Sequence, residues 1–428
     1  MASTTQTILL RPRPYAQHAG SFFLVALLPP PKPVPVLPSE IWAEIFAFAA
    51  IHPGSEALRS LLTVCKSFKD IVLPLVYARV ETSKIHSLEK FVGRLHAADQ
   101  RWDSIRRIPW STPGRWVQNL DLSRVEFVGQ SQALLLDCLL VQLFPLVPFL
   151  ARFSINPAFV LSRRVMEALG QHQGTIHLRA LEGISYVPSG LPTEEPLVKL
   201  LRCCPNLEEL EIIGQGLDPA EMDFTHQNTD LSLPETVVPL NLPNLHTLTI
   251  VSVYSSSLMA SLLLTPLPSL RKLTITPFDD VPFPASLSSQ FITTHGAALR
   301  SLLLFTPKSW PTRLYPSPHT LLCTSPTLRH LSLEKPLPAR LILPPENTHP
   351  LQILSVPRPD ADFWAVLERL LPHLPGLCAV RTRDVRWLRK GMGLRAQEAG
   401  VQGEMREWRR RLLRRGIRVL DAEWKECE

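Results

Sequence analysis

Two adjacent cysteines, Cys203 and Cys204, are the residues whose type could support nucleophilic or metal chemistry. A thiolate is both a nucleophile and a metal ligand. Adjacent side chains at the end of a helix point in different directions, however, and no histidine lies near the pair in sequence to complete a site. We therefore interpret both cysteines as thiols of a hydrophobic core.

The rest of the sequence contains no pattern typical of catalysis. The phosphate-binding motifs GxxxxGK[ST] and GxGxxG, the nucleophile motif GxSxG and the zinc motif HExxH are absent, and the histidines are isolated. We predict that the protein is not an enzyme, and that it uses no cofactor and no metal ion.

A repeated spacing of aliphatic residues organises the chain. Positions i, i+3 and i+5 are aliphatic in Leu207-Glu208-Glu209-Leu210-Glu211-Ile212, and the spacing returns five times at intervals of 23 to 38 residues. With weaker copies included, eleven units extend over residues 117–422. They begin at Val117, Leu150, Leu178, Leu207, Leu245, Leu270, Leu299, Leu328, Leu351, Leu377 and Ile417.

Each unit predicts one helix and one strand. Alternation between i+3 and i+5 places both side chains on one face of a strand and leaves the other face open. Apolar helical runs such as Phe363 to Leu371 precede the strands, and prolines such as Pro205 end those helices. Stacked units share one core and form a solenoid with a parallel sheet. The alternative is an ordinary α/β domain with leucine-rich strands.

This pattern resembles leucine-rich repeats, which implies an α/β fold class in which degenerate repeats form a solenoid with a parallel sheet. The asparagine ladder that usually follows the strand is absent, since Ile213-Gly214-Gln215 follows Ile212. Insertions at 214–241 and 306–319 lengthen two units, and such inserts often help to form a binding rim.

Composition limits the cellular setting. The chain has 428 residues, 45% of them hydrophobic, so it can bury a large core. Its seven cysteines form no C-x-x-C pair and no N-x-S/T acceptor occurs, which favours reduced thiols in the cytosol or nucleus. No uninterrupted apolar run reaches the length of a membrane span. We expect a cytoplasmic or nuclear protein that binds no membrane.

Residues 1–35 predict a disordered arm. They contain no acidic residue, three basic residues and a proline cluster at 29–31, and the apolar run from Phe22 to Leu28 is too short to span a bilayer. A mitochondrial presequence is the alternative.

Residues 36–80 carry a second pattern. Three apolar blocks, VLPSEIWAEIF from Val36, LRSLLTVCKSF from Leu58 and IVLPLVY from Ile71, predict three short helices. We expect Ser55 to cap the second helix and Pro74 to stop or kink the third. So small a unit cannot bury all of its large apolar side chains, and the excess surface needs a partner.

This segment resembles an F-box in its opening Leu-Pro, its Ile-x-x-x-Ile-Phe helix, its Val-Cys-Lys-x-Phe block and its closing Pro-x-x-Tyr. The resemblance implies that a Skp-type adaptor binds it. The implied adaptor-binding residues are Leu37, Pro38, Ile41, Ile45, Phe46, Leu61, Val64, Cys65, Phe68 and Tyr77. The alternative is an N-terminal helical cap for the solenoid.

Residues 81–116 predict a linker helix and loop. Trp102, Trp110 and Trp116 lie among arginines, and we expect them to anchor the loop on the first repeat, because aromatic side chains supply much buried area. Stacking on nucleic-acid bases is the alternative.

The C-terminal region is basic. From Arg381 onward, fourteen Lys and Arg against eight Asp and Glu give +6 of the chain's net +7. Much of this charge lies in a predicted capping helix near 403–415. We expect a helix from Arg406 to Arg418 to close the last repeat. A solvated cap is the first interpretation, with nuclear import or an acidic partner as alternatives.

The open face of the sheet is the predicted site for a target protein. The side chains that alternate with the buried aliphatics are Glu209, Glu211, Thr247, Thr249, Lys272, Thr274, Leu303, Phe305, His330, Ser332, Arg381 and Arg383. They run from acidic through apolar to basic. The complementary partner has a basic end, an apolar anchor and an acidic or phosphorylated end.

An F-box followed by leucine-rich repeats resembles the substrate-recognition subunits of SCF-type cullin RING E3 ubiquitin ligases. In that family the F-box binds the Skp-type adaptor, and through it the cullin RING ligase, while the repeats bind the target. The alternative is a non-ubiquitin repeat scaffold for protein–protein interaction. A nucleic-acid binder is the weakest alternative, because the basic charge is confined to one end.

Overall fold

The computed structural model describes residues 37–49, 56–101, 113–171, 173–187, 195–214, 238–253, 256–277, 286–306, 317–343, 348–358, 361–384 and 401–426. The helices are α1 Ser39–Ala49, α2 Glu56–Leu61, α3 Lys66–Ala78, α4 Ile85–Gln100, α5 Gly129–Leu143, α6 Arg163–Gly170, α7 Pro196–Arg202, α8 Ser257–Leu264, α9 Leu287–His295, α10 Leu321–Thr324, α11 Ala361–Leu370 and α12 Val401–Leu413. The strands are β1 Arg79–Glu81, β2 Asn119–Leu122, β3 Arg152–Ile155, β4 Ala180–Tyr186, β5 Glu209–Gly214, β6 Thr247–Val251, β7 Lys272–Ile275, β8 Ser301–Leu304, β9 His330–Ser332, β10 Ile353–Val356, β11 Ala379–Thr382 and β12 Arg418–Leu420.

These twelve strands form one sheet within the described residues, in chain order from β1 to β12, and every neighbouring pair is parallel. Equivalent repeat positions pair across the sheet, as in Leu210 with Leu248 and Leu248 with Leu273. The eleven predicted units correspond to β2 through β12. The predicted parallel-sheet solenoid is therefore confirmed.

Both ends of the sheet differ from the prediction. β1 was not predicted: it directly follows α3, and its Val80 pairs with Leu120 of β2. At the other end, Val419 rather than Leu420 pairs with Val380, so the last unit was predicted one residue out of register. A shift of one residue exchanges the two faces of a strand.

The core lies between the sheet and the helices. The i+3 and i+5 side chains of the strands, such as Leu210 and Ile212, are buried there. Burying one such side chain contributes about 1.5 to 3 kcal/mol. Helix α4, expected as a linker, buries Leu88 and Val92 in the same core and so belongs to the solenoid.

A short polar ladder of asparagines lies before two of the strands, whereas after β3 the Asn156 amide donates to the Val125 carbonyl at 3.0 Å. The side-chain amide of Asn206 donates to the carbonyl of Ile176 at 2.8 Å, and that of Asn244 donates to the Asn206 side-chain oxygen at 3.3 Å. Both asparagines follow a proline at a turn, where free carbonyls need donors. In these two units the ladder therefore lies before the strand.

One strand contains a bulge that only glycine fits. Gly183 in β4 has φ of 69°, and a Cβ there would lie 2.0 Å from the carbonyl oxygen of Ile155. The register with β5 shifts at this point, between Leu181 and Ile184. Glycine is required because it alone adopts this conformation without a steric cost.

Of the two outcomes expected at Pro74, a stop or a kink, the stop does not occur, because helix α3 runs on to Ala78. Pro74 removes one backbone hydrogen bond, yet the helix continues directly into β1. The Cys65 thiol caps its start by accepting the N–H of Phe68 at 3.4 Å. The expected cap of α2, Ser55, lies outside the described residues.

Helix α12 occupies nearly the predicted range but has a different place in the fold. It ends at Leu413, and Arg418, expected in the helix, begins β12. It is therefore the helix of the last unit rather than a cap beyond it. Its Trp408 packs against Trp364 of α11, with ring centroids 4.0 Å apart.

The chain turns back after β12. The Asp421 carboxylate accepts the backbone N–H groups of Glu423 and Lys425 at 2.8 and 2.9 Å, and Glu426 forms an antiparallel bridge to Leu420.

Within the described part of the chain, no helix combines the length and the apolar composition needed to cross a membrane.

Candidate binding surfaces

The three N-terminal helices form a small core of their own. Phe46, Leu58 and Val72 are buried in it. The rings of Phe46 and Phe68 lie 5.0 Å apart, and those of Trp42 and Phe68 lie 4.9 Å apart. Phe46 was predicted to bind an adaptor, but it is only 4% exposed and belongs to this core, and Phe68 is half-buried in the same cluster.

Helix α1 presents an apolar stripe to solvent. Ile41 and Ile45 are each 42% exposed and Phe48 is 71% exposed. Their spacing of four and three residues places them on one face of the helix. Phe48 was missed, although its position seven residues after Ile41 is the signal that could have revealed it.

The other predicted adaptor residues fall into two groups. Pro38, Val64 and Cys65 are exposed, and Leu37 and Leu61 are half-buried. These five side chains remain accessible to a partner to different degrees.

Tyr77, predicted to bind the adaptor, is half-buried and packs against the solenoid. Its ring contacts Phe91 of α4 at 6.1 Å and Trp116 at 5.9 Å, between centroids. It therefore joins the N-terminal helices to the first units of the solenoid. Trp116 packs at this junction as expected, whereas Trp102 and Trp110 lie outside the described residues.

The cysteine pair separates into one buried and one exposed thiol. Burial raises the pKa of Cys204 to about 12, with a smaller contribution from Cys203. Cys203 itself is exposed, so the prediction of a core thiol is wrong for it; Cys65, Cys138 and Cys378 are exposed as well. No group of three His, Cys, Asp or Glu that could hold a metal occurs in the described ranges.

The open face consists of two columns of side chains that cross the sheet. The first column is Arg79, Asn119, Arg152, Ala180, Glu209, Thr247, Lys272, Ser301, His330, Ile353, Ala379 and Arg418. The second column is Glu81, Asp121, Ser154, Glu182, Glu211, Thr249, Thr274, Leu303, Ser332, Ser355, Arg381 and Leu420, with the β4 bulge between Glu182 and Glu211.

The predicted acidic end is partly paired within the sheet. Arg152, which the sequence analysis missed, donates both terminal nitrogens to the Glu209 carboxylate at 3.1 Å and lies 3.5 Å from Glu182. The Glu209 hydrogen bond is the main cause of the raised pKa of Arg152. Glu211 accepts the backbone N–H of Gly183 at 3.1 Å. A basic partner would have to compete with these contacts.

The predicted basic end is also occupied. Arg381 donates to the carbonyl of Ala422 at 2.6 Å, and its guanidinium lies over the Trp424 ring at 4.3 Å. Burial, then the charge of Arg383, lowers the pKa of Arg381. Arg383 donates to the Leu333 carbonyl at 2.6 Å and to Glu334 at 2.9 Å, so it supports the sheet rather than a target.

The middle of the open face offers apolar and polar contacts. Phe305 is 46% exposed just after β8, and Leu303 is half-buried. His330 shares a hydrogen bond of 3.0 Å with the Ser355 hydroxyl. Ser332 is only 3% exposed, so its predicted role in binding is wrong.

Comparisons with known proteins add little to this geometry. No protein-family model matches the chain, and no curated protein matches it. One solved chain similar to it belongs to the "Crystal structure of TLR13-ssRNA13 complex", with 16% sequence identity and a TM-score of 0.33 over 63% of this chain. The match covers 33% of that chain.

At these values the likeness carries nothing about function. The strand order, the pairing of equivalent repeat positions and the single buried face decide the architecture. The fold is a leucine-rich-repeat-like solenoid.

Proposed function

We propose that this protein is the substrate-recognition subunit of an SCF-type cullin RING E3 ubiquitin ligase, working in the cytosol or nucleus. Its N-terminal helices are an F-box that binds a Skp-type adaptor, and the open face of the solenoid binds the target. The observation that carries the proposal is the exposed stripe of Ile41, Ile45 and Phe48 on α1.

The stripe is surface that the small N-terminal unit leaves in water. Contiguous apolar patches on a soluble protein mark interaction sites. Each Å² of apolar area removed from water contributes about 25 cal/mol, so a partner helix or groove laid on this stripe gains free energy. The resemblance of residues 36–80 to an F-box supports an adaptor as that partner.

The role proposed for the solenoid requires no catalytic group. A receptor that holds a target beside a charged ubiquitin-conjugating enzyme raises the effective concentration of the target's lysines. Phe305 is the best placed apolar anchor for such a target, because exposed aromatic side chains often dominate binding energy.

Co-purification with a Skp-type adaptor tests the proposal. We expect Ile41→Asp combined with Ile45→Asp to abolish adaptor binding and to leave the melting temperature of the solenoid unchanged. The matched control is Leu134→Asp combined with Leu135→Asp in α5, which also places two charges on exposed apolar positions. Adaptor retained by the α1 variant, or lost equally in both variants, would contradict the proposal.

The alternative is a non-ubiquitin repeat scaffold whose N-terminal helices cap the solenoid. The contacts of Tyr77 with Phe91 and Trp116 favour it, because they tie these helices to the first units. A scaffold of this kind does not co-purify with the adaptor even as wild type. The same experiment therefore separates the two functions.

A further inference from the structure

Three arginines stand side by side at the N-terminal rim of the sheet, which we define as the residues just before each strand. The N–H of Arg300 donates to the carbonyl of Arg271 at 2.8 Å, and the N–H of Arg329 donates to the carbonyl of Arg300 at 2.8 Å. These bonds hold the three backbones in adjacent strands, about 4.8 Å apart. We call Arg271, Arg300 and Arg329 the arginine ladder.

Within the described residues, no acidic side chain pairs with the ladder. All three side chains are exposed. In the part of the chain that the structure describes, the guanidinium groups of Arg300 and Arg329 make no hydrogen bond or ion pair, and that of Arg271 donates only to the Ala298 carbonyl, at 3.3 Å. Exposed Lys272 adds a fourth cation next to Arg271. The described residues between 238 and 333 contain no Asp or Glu.

The rim residues before β4, β5 and β6 differ from the ladder because they include an acidic side chain. Arg179 lies 3.5 Å from Glu208, so an arginine faces a carboxylate there, and the same carboxylate lies 3.8 Å from His246. Like charges on neighbouring strands destabilise a sheet. Three arginines in succession therefore carry a folding cost that an anionic ligand would relieve.

We propose that the arginine ladder binds an extended acidic segment of a partner protein, rich in Asp and Glu. Guanidinium groups bind carboxylates in a bidentate geometry, and an extended chain laid across β7 to β9 can present successive carboxylates to the three arginines. The site lies outside the open-face residues predicted from the sequence. It requires no adaptor.

Nucleic acid fits this surface less well. Proteins that bind single strands combine a basic groove with aromatic side chains on which bases stack. Among the described residues, the exposed aromatic side chains Phe48, Phe149, Phe305 and Trp424 do not precede β7, β8 or β9. The charge complementarity of the ladder is therefore better matched by a peptide.

Fluorescence anisotropy with a labelled peptide of alternating Glu and Gly tests the proposal on the full chain. We expect Arg300→Glu to weaken binding about tenfold, since one ion pair is lost and one repulsion is gained. Arg300→Gln should give a smaller loss of binding, and both variants should melt at or above the wild-type temperature, because each removes repulsion within the ladder. Added salt should weaken wild-type binding.

Arg410→Glu is the matched control, because it makes the same change of charge on exposed α12. Equal binding by wild type and Arg300→Glu would overturn the proposal, and so would a loss confined to Arg410→Glu. A single-stranded oligonucleotide that binds through Arg300 more tightly than the peptide would overturn it in favour of nucleic acid. Adaptor co-purification should not change in Arg300→Glu, which separates this site from the proposed F-box.

Discussion

At the scale of single residues, His330 shows how the open face controls a charge. Its side chain lies in a half-buried position, and burial lowers its pKa to about 4, with further lowering by Arg381 and Lys272. The hydrogen bond to Ser355 therefore involves a neutral imidazole at physiological pH.

This lowered pKa predicts a pH-dependent stability. In the unfolded chain the histidine pKa is about 6.5, so between pH 6.5 and 4 the unfolded chain binds a proton that the folded chain does not. The free energy of unfolding must fall as the pH falls through this window. We expect the free energy of unfolding of His330→Gln to fall less than that of wild type over this window. The difference should be on the order of 1 kcal/mol after allowance for solvent screening.

Urea unfolding at neutral pH and near pH 4.5 measures the effect. His295 and His349, whose pKa values burial also lowers, are present in both proteins, so the difference between wild type and variant isolates His330. The same pH dependence in both proteins would show that His330 is not the group responsible.

Individual open-face residues were predictable, but their partners were not. The alternation of a strand predicts that Glu209 and His330 point to the open face, and they do. The pairing of Arg152 with Glu209 joins residues 57 positions apart, and that of Arg381 with Ala422 joins residues 41 positions apart. Repeat spacing says nothing about which side chains meet across units.

At the scale of elements, the packing of α12 indicates that the basic C-terminal segment stabilises the solenoid. Trp408 is 8% exposed and packs against Trp364, and Leu412 is fully buried. We expect Trp408→Ala to cost about 3 to 5 kcal/mol, as large-to-small changes in a core do. Hydrogen exchange should show the added opening in β11 and β12.

The exposed Arg410 of the same helix supplies the control, and Arg410→Ala should change stability by less than about 0.5 kcal/mol. If Trp408→Ala is as stable as wild type, α12 is a dispensable tail.

The elements that sequence patterns missed share a physical reason. β1 is three residues long and directly follows a helix, so no alternation develops in it. In the observed register of β12, Val419 takes the i+3 position, which places Gly416 at i and Asp421 at i+5, so the aliphatic spacing could not identify it. Pro74 was expected to end or kink α3, and the helix does not end there, because its packing outweighs one lost hydrogen bond.

At the scale of the whole molecule, each strand pairs only with its neighbours, and that is why the architecture was predictable. A repeat that recurs in sequence recurs in the sheet, and the stacked units supply one core. The arginine ladder lay in the same pattern: Arg271, Arg300 and Arg329 occupy the position after the first aliphatic of three units. The alternation within a strand does not include this position, so it predicts the strand face and not the rim.

The turn after β12 affects whether the edge of the sheet can pair with a second molecule. The unpaired edge strand of a parallel sheet can form hydrogen bonds with the edge strand of another molecule. Such a contact is head-to-tail, so further molecules can add to it and a filament forms. The bridge from Leu420 to Glu426 covers part of that edge.

We therefore expect deletion of residues 421–428 to cause concentration-dependent polymerisation, measured by light scattering and electron microscopy. Trp424→Ala, which leaves the Asp421 hydrogen bonds in place, is the control and should stay unassembled. A truncated protein that remains monomeric would show that the edge is protected elsewhere. On this view, a few residues at the end of the sheet prevent one solenoid from pairing with the next.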